Sequence, residues 1–264
     1  MMGLELKRGF KDVLCKIICY PRCEDETFNR RLKELKELGI VRLIPKGRTK
    51  IDGFRVLGKG CVSVVVLAED AGGNLRAVKI RRTDADRKDL LSEAKALSLV
   101  NKLGVGPKLY GFKPDILVME YLDGLSIGEW LVRNRYNSAL IRRVLEDLLS
   151  QCYRMDKVGI VHKELSSPEG HVIIDRREGR PYVVDFETVS YKSSKRNLTQ
   201  IMGYLLFREG PVSEAVKRAL SIRDEDVKKV REILKKYKFG DMDGAFESLL
   251  KILNLTLPEN HITE

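Results

Sequence analysis

Apolar residues recur at helical spacing early in the chain. They are Phe28, Leu32, Leu35 and Leu38. Spacings of four, three and three positions place these side chains on one face of a helix, and a glycine follows where the helix would end. The apolar run at 41–44 then predicts a short strand. Residues 1–50 are therefore predicted to form a small N-terminal subdomain, either a winged-helix element or a lid packed on the next domain.

Beyond Phe54 the pattern changes to short, valine-rich runs separated by turns. The predicted strands are Phe54–Leu57, Cys61–Ala68, Leu75–Ile80, Lys108–Phe112 and Ile116–Glu120. One helical pattern, from Asp84 to about Leu103, interrupts these strands. Residues 51–122 are therefore predicted to form an antiparallel sheet with one helix.

After Gly124 helical periodicity dominates. The predicted helices are Ser126–Arg133, Ser138–Lys157, Asn197–Phe207, Val212–Leu220, Asp224–Tyr237 and Asp243–Leu253. A β-hairpin is predicted from Val172–Asp175 and Tyr182–Val184, because two apolar runs flank a polar turn. Residues 123–264 are thus predicted to form a second, mainly helical domain, and the chain is predicted to be an α+β protein.

The composition of the 264 residues limits the classes of function. An apolar content of 43% with 33% charged residues is typical of a globular protein. No apolar run approaches the roughly 20 residues that span a bilayer, and the charged start lacks the apolar core of a secretory signal. The sequence therefore predicts a soluble, cytoplasmic protein with no membrane partner, large enough for one catalytic unit.

The chain carries a net charge of +11. An excess of this size favours anionic partners such as nucleotide phosphates, RNA or acidic protein surfaces. A thermophilic surface rich in lysine, arginine and glutamate would produce the same excess without such a partner. The scarcity of glutamine, present only as Gln151 and Gln200, suits that second interpretation. RNA is therefore a candidate partner that charge alone does not select.

Three of the five cysteines, Cys15, Cys19 and Cys23, are spaced by four residues. If this stretch is helical, their side chains lie near one face. They would then be either metal ligands or buried thiols on an apolar stripe. The second interpretation is favoured, because no fourth cysteine or histidine follows at ligand spacing.

Two glycines between predicted strands, Gly58 and Gly60, would let the backbone approach phosphate oxygens closely. A plain hairpin turn has the same composition. The strand at 75–80 carries Lys79 among apolar residues, and such a lysine either points at an anionic group or reaches solvent from an edge strand. Glu93 on the following helix is the predicted ion-pair partner that would hold Lys79 toward phosphates.

Two later segments each end an apolar run with a carboxylate. They are Ile160–Leu165, which contains His162 and Glu164, and Val183–Glu187, which contains Asp185. Phosphoryl transfer uses carboxylates of this kind, one to orient the attacking hydroxyl and one to hold Mg²⁺. For His162 we predict a structural role.

The order of these motifs resembles that of the protein-kinase superfamily over roughly residues 53–207. The glycine-rich loop is matched by Gly58, Gly60, Ser63 and Val65, and the strand lysine by Ala77, Val78 and Lys79. Glu93 matches the helix partner of that lysine. The gatekeeper and hinge are matched by Met119, Glu120, Tyr121 and Leu122. The catalytic loop is matched by His162, Lys163, Glu164 and Leu165, and the metal-binding triplet by Asp185, Phe186 and Glu187.

The resemblance is greatest to the small atypical branch of that superfamily. This branch includes the RIO kinases, the small kinase of the tRNA threonylcarbamoyl-adenosine machinery and predicted archaeal serine/threonine kinases. It implies a two-lobed protein-kinase-like fold, with an antiparallel-sheet N-lobe and a small helical C-lobe without a peptide-docking activation segment. Only about ten residues separate Asp185 from the next predicted helix, as expected for this branch.

The resemblance also implies cofactors and site residues. ATP would be bound by Gly58, Gly60, Ser63, Val65, Ala77, Lys79, Glu93, Met119, Glu120 and Leu122. Mg²⁺ or Mn²⁺ would be held by Asp185 with a second ligand, and Lys79, Glu164 and Asp185 would be the catalytic residues.

This sequence departs from the kinase pattern in its catalytic loop. Glu164 replaces the usual aspartate and is one methylene longer, which changes where its carboxylate lies. The metal-binding asparagine is also absent. Counted forward from Glu164 its position is Glu169, and counted back from the following strand it is His171. We favour His171, because a strand fixes geometry more tightly than a loop, and an imidazole suits Mn²⁺ better than Mg²⁺.

Two functions from different classes follow. The first is an atypical serine/threonine kinase, slow or acting mainly as an ATPase, on an acceptor that the sequence does not identify. The second is a nucleotide-binding, pseudokinase-like regulatory module that transfers no phosphate. Association with RNA, in ribosome or tRNA biogenesis, is compatible with either function and rests on charge and on analogy with the family.

Overall fold

The computed structural model describes residues 3–256. Their contacts divide the chain into two compact units. The first contains the residues up to Asn101 together with Pro107–Leu122, and the second contains Lys102–Gly106 and the residues from Asp123 onwards. The described residues form antiparallel sheets together with helices, so the chain is an α+β protein, as predicted.

The first unit is built around a sheet of short strands. In its described part the strands are β1 (Leu4–Glu5), β2 (Ile40–Ile44), β3 (Thr49–Ile51), β4 (Phe54–Val56), β5 (Gly58–Lys59), β6 (Ser63–Asp70), β7 (Leu75–Arg81), β8 (Leu109–Lys113) and β9 (Ile116–Glu120). The helices are α1 (Lys11–Ile18), α2 (Asp25–Glu37) and α3 (Leu91–Asn101).

The main sheet is antiparallel, with strand order β1-β2-β6-β7-β9-β8, and β5 pairs with β6. Side chains alternate between its two faces along each strand. One face packs into the core through Val64, Val66, Val78, Ile80, Ile116 and Val118. The strand β7 lies between β6 and β9, so it is an interior strand of the sheet.

The segment predicted as an N-terminal subdomain contributes to this same sheet and core. β2 pairs with β6, and β1 pairs with β2. Leu14 of α1 and Leu35 of α2 are fully buried in the cluster that contains the core face of the sheet. Residues 4–44 therefore share one hydrophobic core with the strands that follow them.

A buried carboxylate ties α2 to the sheet. Asp115, just before β9, accepts hydrogen bonds from Arg30 (2.6 Å), Arg31 (3.0 Å) and Arg81 (2.5 Å). Arg31 is fully buried and also donates to the carbonyl of Ile18 at 2.7 Å. Burial alone would raise the pKa of Asp115, but the hydrogen bonds from Arg81 and Arg30 lower it to about 2. The carboxylate is therefore ionised and neutralises a buried guanidinium.

The second unit is mainly helical. Its described helices are α4 (Ile127–Arg133), α5 (Ser138–Lys157), α6 (Asn197–Met202), α7 (Pro211–Leu220), α8 (Asp224–Phe239) and α9 (Met242–Ile252). Its strands are β10 (Gly124–Ser126), β11 (Val161–His162), β12 (Val172–Asp175), β13 (Pro181–Val183) and β14 (Val189–Ser190). β10, β12 and β13 form one antiparallel sheet, and β11 pairs with β14.

One predicted helix starts far from its predicted residue, and another is only partly α-helical. α3 begins at Leu91, not at Asp84. The carboxylate of Asp89 accepts the N–H of Leu91 at 3.0 Å, a helix-capping contact that starts the helix at this point. The helix predicted over 197–207 ends its α-helical part at Met202 and continues as a π-helical turn to Phe207.

The cysteines near the N-terminus differ from both predicted interpretations. Cys15 and Cys23 form a disulfide, whereas Cys19 is a buried free thiol. Because α1 ends at Ile18, the three residues do not share one helix. Burial raises the pKa of the Cys19 thiol, so only this residue fits the predicted buried thiol.

Among residues 3–256, none of the helices has the length and apolar character needed to cross a bilayer.

Candidate functional site

The predicted glycine-rich loop is a tight hairpin, residues 58–63, that joins β5 to β6; we call it the glycine hairpin. The N–H of Gly60 donates to the carbonyl of Ser63 at 2.9 Å and closes the turn. Neither Gly58 nor Gly60 has a left-handed backbone. A Cβ at Gly58 would meet nothing within 4 Å, and one at Gly60 would lie 3.9 Å from its nearest neighbour. The hairpin therefore does not need glycine at either position for its own geometry.

A buried ion pair lies on the sheet beside this hairpin. Lys79 Nζ is 2.7 Å from Glu93 Oε1, and the two side chains are 5% and 4% exposed. Because β7 is an interior strand, Lys79 is not the solvent-exposed edge lysine that the sequence allowed. The predicted ion pair between β7 and α3 is therefore present, and it holds an ammonium group on this face.

The register of the sheet places three other predicted nucleotide-binding side chains on the face of Lys79. Val65 is directly opposite Lys79, and Met119 is directly opposite Ala77. Residues opposite each other in an antiparallel pair project from the same face. The side chains of Val65, Ala77 and Met119 thus form a small apolar surface next to the ammonium group.

The predicted hinge follows β9. The N–H of Glu120 donates to the carbonyl of Lys108 at 2.8 Å, so the sheet uses it. Leu122 lies beyond the strand, half-buried, and within the described residues its N–H has no hydrogen-bond partner. A backbone N–H that the protein leaves unpaired is a donor for a ligand.

In the second unit His162 connects the predicted catalytic loop, residues 162–165, to the turn that carries Asp185. Its Nε2 donates to the carbonyls of Val184 (3.1 Å) and Asp185 (2.9 Å), and its Nδ1 accepts the N–H of Glu164 at 3.3 Å. Burial, reinforced by the neighbouring His171, lowers the pKa of His162. The ring is therefore a neutral structural link, as predicted.

Asp185 has a left-handed backbone conformation (φ 66°, ψ 68°) that is uncommon for a residue with a side chain. Phe186 is buried and packs edge-on against His162, with ring centroids 5.6 Å apart. Carboxylate oxygens of Asp185 and Glu187 lie within 4.8 Å of each other. Strained residues concentrate at functional sites, which makes Asp185 a candidate functional residue.

Glu164 has two polar neighbours within its unit. Thr188 Oγ1 donates to Glu164 Oε2 at 3.1 Å, and His171 Nε2 lies 3.4 Å from the same oxygen. The side chain of Glu164 is 42% exposed. His171 Nδ1 is buried and has no hydrogen-bond partner in the described part of the chain. Glu164 is thus oriented from two sides while its carboxylate stays accessible.

Glu169, the alternative to His171 in the sequence, is engaged elsewhere. Its carboxylate accepts a hydrogen bond from Tyr204, and a Cβ on Gly128 of α4 would overlap both groups. Burial and this hydrogen bond raise the pKa of Tyr204. Glu169 therefore ties its loop to the π-helical turn.

Residues that hold the catalytic-loop backbone were missed by sequence analysis. Asn197 Oδ1 accepts the N–H of His162 at 2.8 Å, and Gln200 Nε2 donates to the carbonyl of His162 at 3.0 Å. Asp156 of α5 accepts the N–H groups of Asn197 and Leu198 and so caps α6. No local pattern marks these contacts, because they join positions more than 30 residues apart.

Comparison with known proteins finds distant sequence similarity to a few of them. No family model matches the chain. The chain is 29% identical over 120 residues to the uncharacterized protein MJ1211 of Methanocaldococcus jannaschii, a match that covers 46% of this chain and 98% of that protein. It is 28% identical over 145 residues to calcium-dependent protein kinase 4 of Plasmodium berghei and of Plasmodium falciparum.

The kinase matches cover 50% of this chain and 26% of each kinase. The chain thus spans about a quarter of the length of those relatives. It is distantly similar to protein kinases over half of its own length.

Proposed function

We propose that this chain is an ATP-dependent phosphotransferase of the atypical serine/threonine kinase type, with a two-lobed protein-kinase-like fold. The observation that carries the proposal is the buried Lys79–Glu93 ion pair on an interior strand, beside a hairpin whose glycines have no conformational role of their own. An ammonium group carries three N–H donors, so it can contact a carboxylate and a phosphate oxygen at the same time. The distant similarity to protein kinases supports the same class.

The residues present fit ATP. The apolar side chains of Val65, Ala77 and Met119 suit an adenine ring, and the N–H of Leu122 suits its hydrogen-bonding edge. Lys79 and the backbone of the glycine hairpin suit the phosphates.

The second unit offers oxygen ligands for a metal ion. Asp185 and Glu187 supply carboxylates of the type that Mg²⁺ and Mn²⁺ prefer. His171 directs its Nε2 toward Glu164, so Glu187 joins His171 as a candidate second ligand. When bound, the metal would neutralise charge on the transferred phosphoryl group.

In this mechanism Glu164 accepts the proton of the attacking hydroxyl or water. Thr188 and His171 fix one of its carboxylate oxygens, which leaves the other free to face the acceptor. His162 stays neutral and maintains the spacing between Glu164 and Asp185.

Glu164→Gln should lower ATP turnover by roughly 10²- to 10⁴-fold with little change in ATP affinity, because it removes the base and keeps the shape. Asp185→Asn should abolish metal-dependent turnover. Turnover and autophosphorylation are measured with Mg²⁺ and then Mn²⁺, and ATP binding by calorimetry. If the wild-type chain binds ATP neither with Mg²⁺ nor with Mn²⁺, the proposed function is refuted.

The second metal ligand is identified by a paired experiment. If Glu187 holds the metal, Glu187→Gln should raise the Mg²⁺ concentration for half-maximal turnover by roughly tenfold or more. His171→Ala should then lower turnover at saturating metal without changing that requirement, because it disturbs only Glu164. The reverse pattern would assign the metal to His171 and contradict Glu187.

The runner-up function is a nucleotide-binding regulatory module without phosphoryl transfer. The observation that favours it is that Glu164, one methylene longer than the aspartate of the kinase pattern, has its carboxylate held by Thr188 and His171. ATP binding without turnover in either metal, unchanged by Glu164→Gln, would select this alternative.

RNA is proposed as a candidate binding partner, separately from the phosphate acceptor. The net charge of +11 makes RNA binding testable through its salt dependence. If RNA is the partner, its affinity should fall as the salt concentration rises, and the slope of log affinity against log salt should correspond to the release of several counterions. Absence of RNA binding at low salt would exclude RNA as the partner.

A further inference from the structure

A short segment between α1 and α2 is fastened next to the glycine hairpin. We call this segment, residues 19–23, the strap. The disulfide between Cys15 and Cys23 closes it into a loop, with Cα atoms 5.7 Å apart. A covalent closure of this kind limits the conformations that the enclosed residues can adopt. The strap therefore has a defined path even though it contains no helix or strand.

Thr83, which follows β7 closely, anchors the strap. Its N–H donates to the carbonyl of Tyr20 at 2.8 Å. Its hydroxyl accepts the N–H of Arg22 at 3.2 Å and lies 3.2 Å and 3.0 Å from the carbonyls of Cys19 and Arg22. One threonine, four residues beyond Lys79, thus contacts the backbone of three of the five strap residues.

Tyr20 is the residue through which the strap meets the glycine hairpin. Lys59, between the two glycines, donates to Tyr20 Oη at 3.4 Å, and its ammonium lies 5.3 Å from the ring centroid. The guanidinium of Arg82 lies 5.1 Å from the same centroid and donates to the carbonyl of Gly60 at 2.9 Å. Both cations that contact the ring therefore belong to the hairpin or bond to it.

We propose that Tyr20 is a positioning residue for the glycine hairpin, and that the disulfide-closed strap sets the affinity of this hairpin for nucleotide phosphates. The consequence for affinity rests on the proposed function. The positioning itself does not, because it concerns contacts within one unit. Removing two partly exposed cation–π contacts and one hydrogen bond should raise the dissociation constant for ATP roughly three- to tenfold.

The same reasoning makes the hairpin sensitive to redox conditions. A dithiol reductant would donate two electrons and two protons to the Cys15–Cys23 bond, giving two thiols and leaving the reductant as a disulfide. The strap would then lose its closure while Thr83 still held its centre. Reduction should therefore weaken the contacts of Tyr20 with Lys59 and Arg82, and its effect on the hairpin should have the same sign as that of Tyr20→Ala.

The test compares Tyr20→Ala with Tyr110→Ala. Tyr110 is a matched control in the same unit, since its ring also lies beneath an arginine (Arg76, 3.7 Å) and a lysine (Lys108, 5.4 Å), yet it sits on β8. Hydrogen exchange of residues 58–63 is measured without nucleotide, together with thermal unfolding and the dissociation constant for ATP. Tyr20→Phe separates the hydroxyl from the ring.

Tyr20→Ala should speed exchange of the Gly60 amide and weaken ATP binding three- to tenfold, with neither change in Tyr110→Ala. A dithiol should speed the same exchange in the wild type but not in a Cys15→Ser, Cys23→Ser double variant. Equal hairpin exchange in Tyr20→Ala and wild type would overturn the positioning role. If exchange is faster in Tyr20→Ala but the wild-type chain does not bind ATP, the positioning role of Tyr20 stands and only the proposed function is refuted. If exchange is faster in Tyr20→Ala but its ATP affinity is unchanged, the link between the strap and phosphate binding is overturned.

Discussion

Replacing Lys79 with methionine is expected to lower ATP turnover by at least roughly 10²- to 10³-fold, since one preorganised charge on the phosphates is removed. The same change leaves the carboxylate of Glu93, whose side chain is 4% exposed, without its cation. Breaking a buried pair from one side typically destabilises by about 3–5 kcal/mol. The variant should therefore lose both turnover and stability.

The double variant Lys79→Met, Glu93→Gln separates these two effects. Removing both charges should recover most of the lost stability, because no uncompensated ion remains buried. Turnover should stay as low as in the single variant. Stability is measured by hydrogen exchange of β6 and β7, and turnover by phosphate release. A double variant that hydrolysed ATP at the wild-type rate would show that Lys79 is structural only.

Asp115→Asn is expected to destabilise the first unit by about 3–5 kcal/mol, because it leaves the fully buried Arg31 and its neighbours without their counter-ion. Asp52→Asn is the matched control. Asp52 makes the same kind of pair with Lys16, but its side chain is 57% exposed. An exposed pair is worth at most about 1 kcal/mol. Equal losses in the two variants would contradict a special role for the buried cluster.

The loss caused by Asp115→Asn should also depend on pH. The folded pKa of Asp115 is about 2, below the value of roughly 3.9 in an unfolded chain. The stabilisation is therefore complete above about pH 5 and is lost progressively as the pH falls toward about 1. The difference between wild type and variant should shrink by roughly 2–3 kcal/mol over that range. A difference that stayed constant down to pH 2.5 would refute the assignment.

Much of the secondary structure was predictable because its signal is local. The bounds predicted for β9, α5 and β12 are those of the structure. In each of these elements the apolar residues recur with a clear period, and polar residues or glycines mark the ends. The start of α3 was misplaced because the acidic residues of 84–89 resemble a helical first turn, while the contact that sets the start is a single carboxylate at Asp89.

Part of the candidate site was also predictable. The Lys79–Glu93 pair follows from a charged residue in an apolar strand and an acid on the next helix. The surroundings of the loop carboxylates were not predictable. Sequence analysis favoured His171 over Glu169 as the second metal ligand, but it gave no sign that Tyr204, 35 residues later, binds Glu169.

Local sequence patterns were therefore enough to predict most helices and strands, the order of the candidate motifs and the ion pair at Lys79. Three other features became visible only in the folded chain: three arginines share Asp115, Asn197 holds the backbone of the predicted catalytic loop, and a disulfide-closed strap meets the glycine hairpin. The periodicity of apolar residues indicates which side of a helix or strand is buried, and this signal extends over only a few residues. The contacts that complete the site join residues far apart in the chain, and they form only when the packed elements bring those residues together.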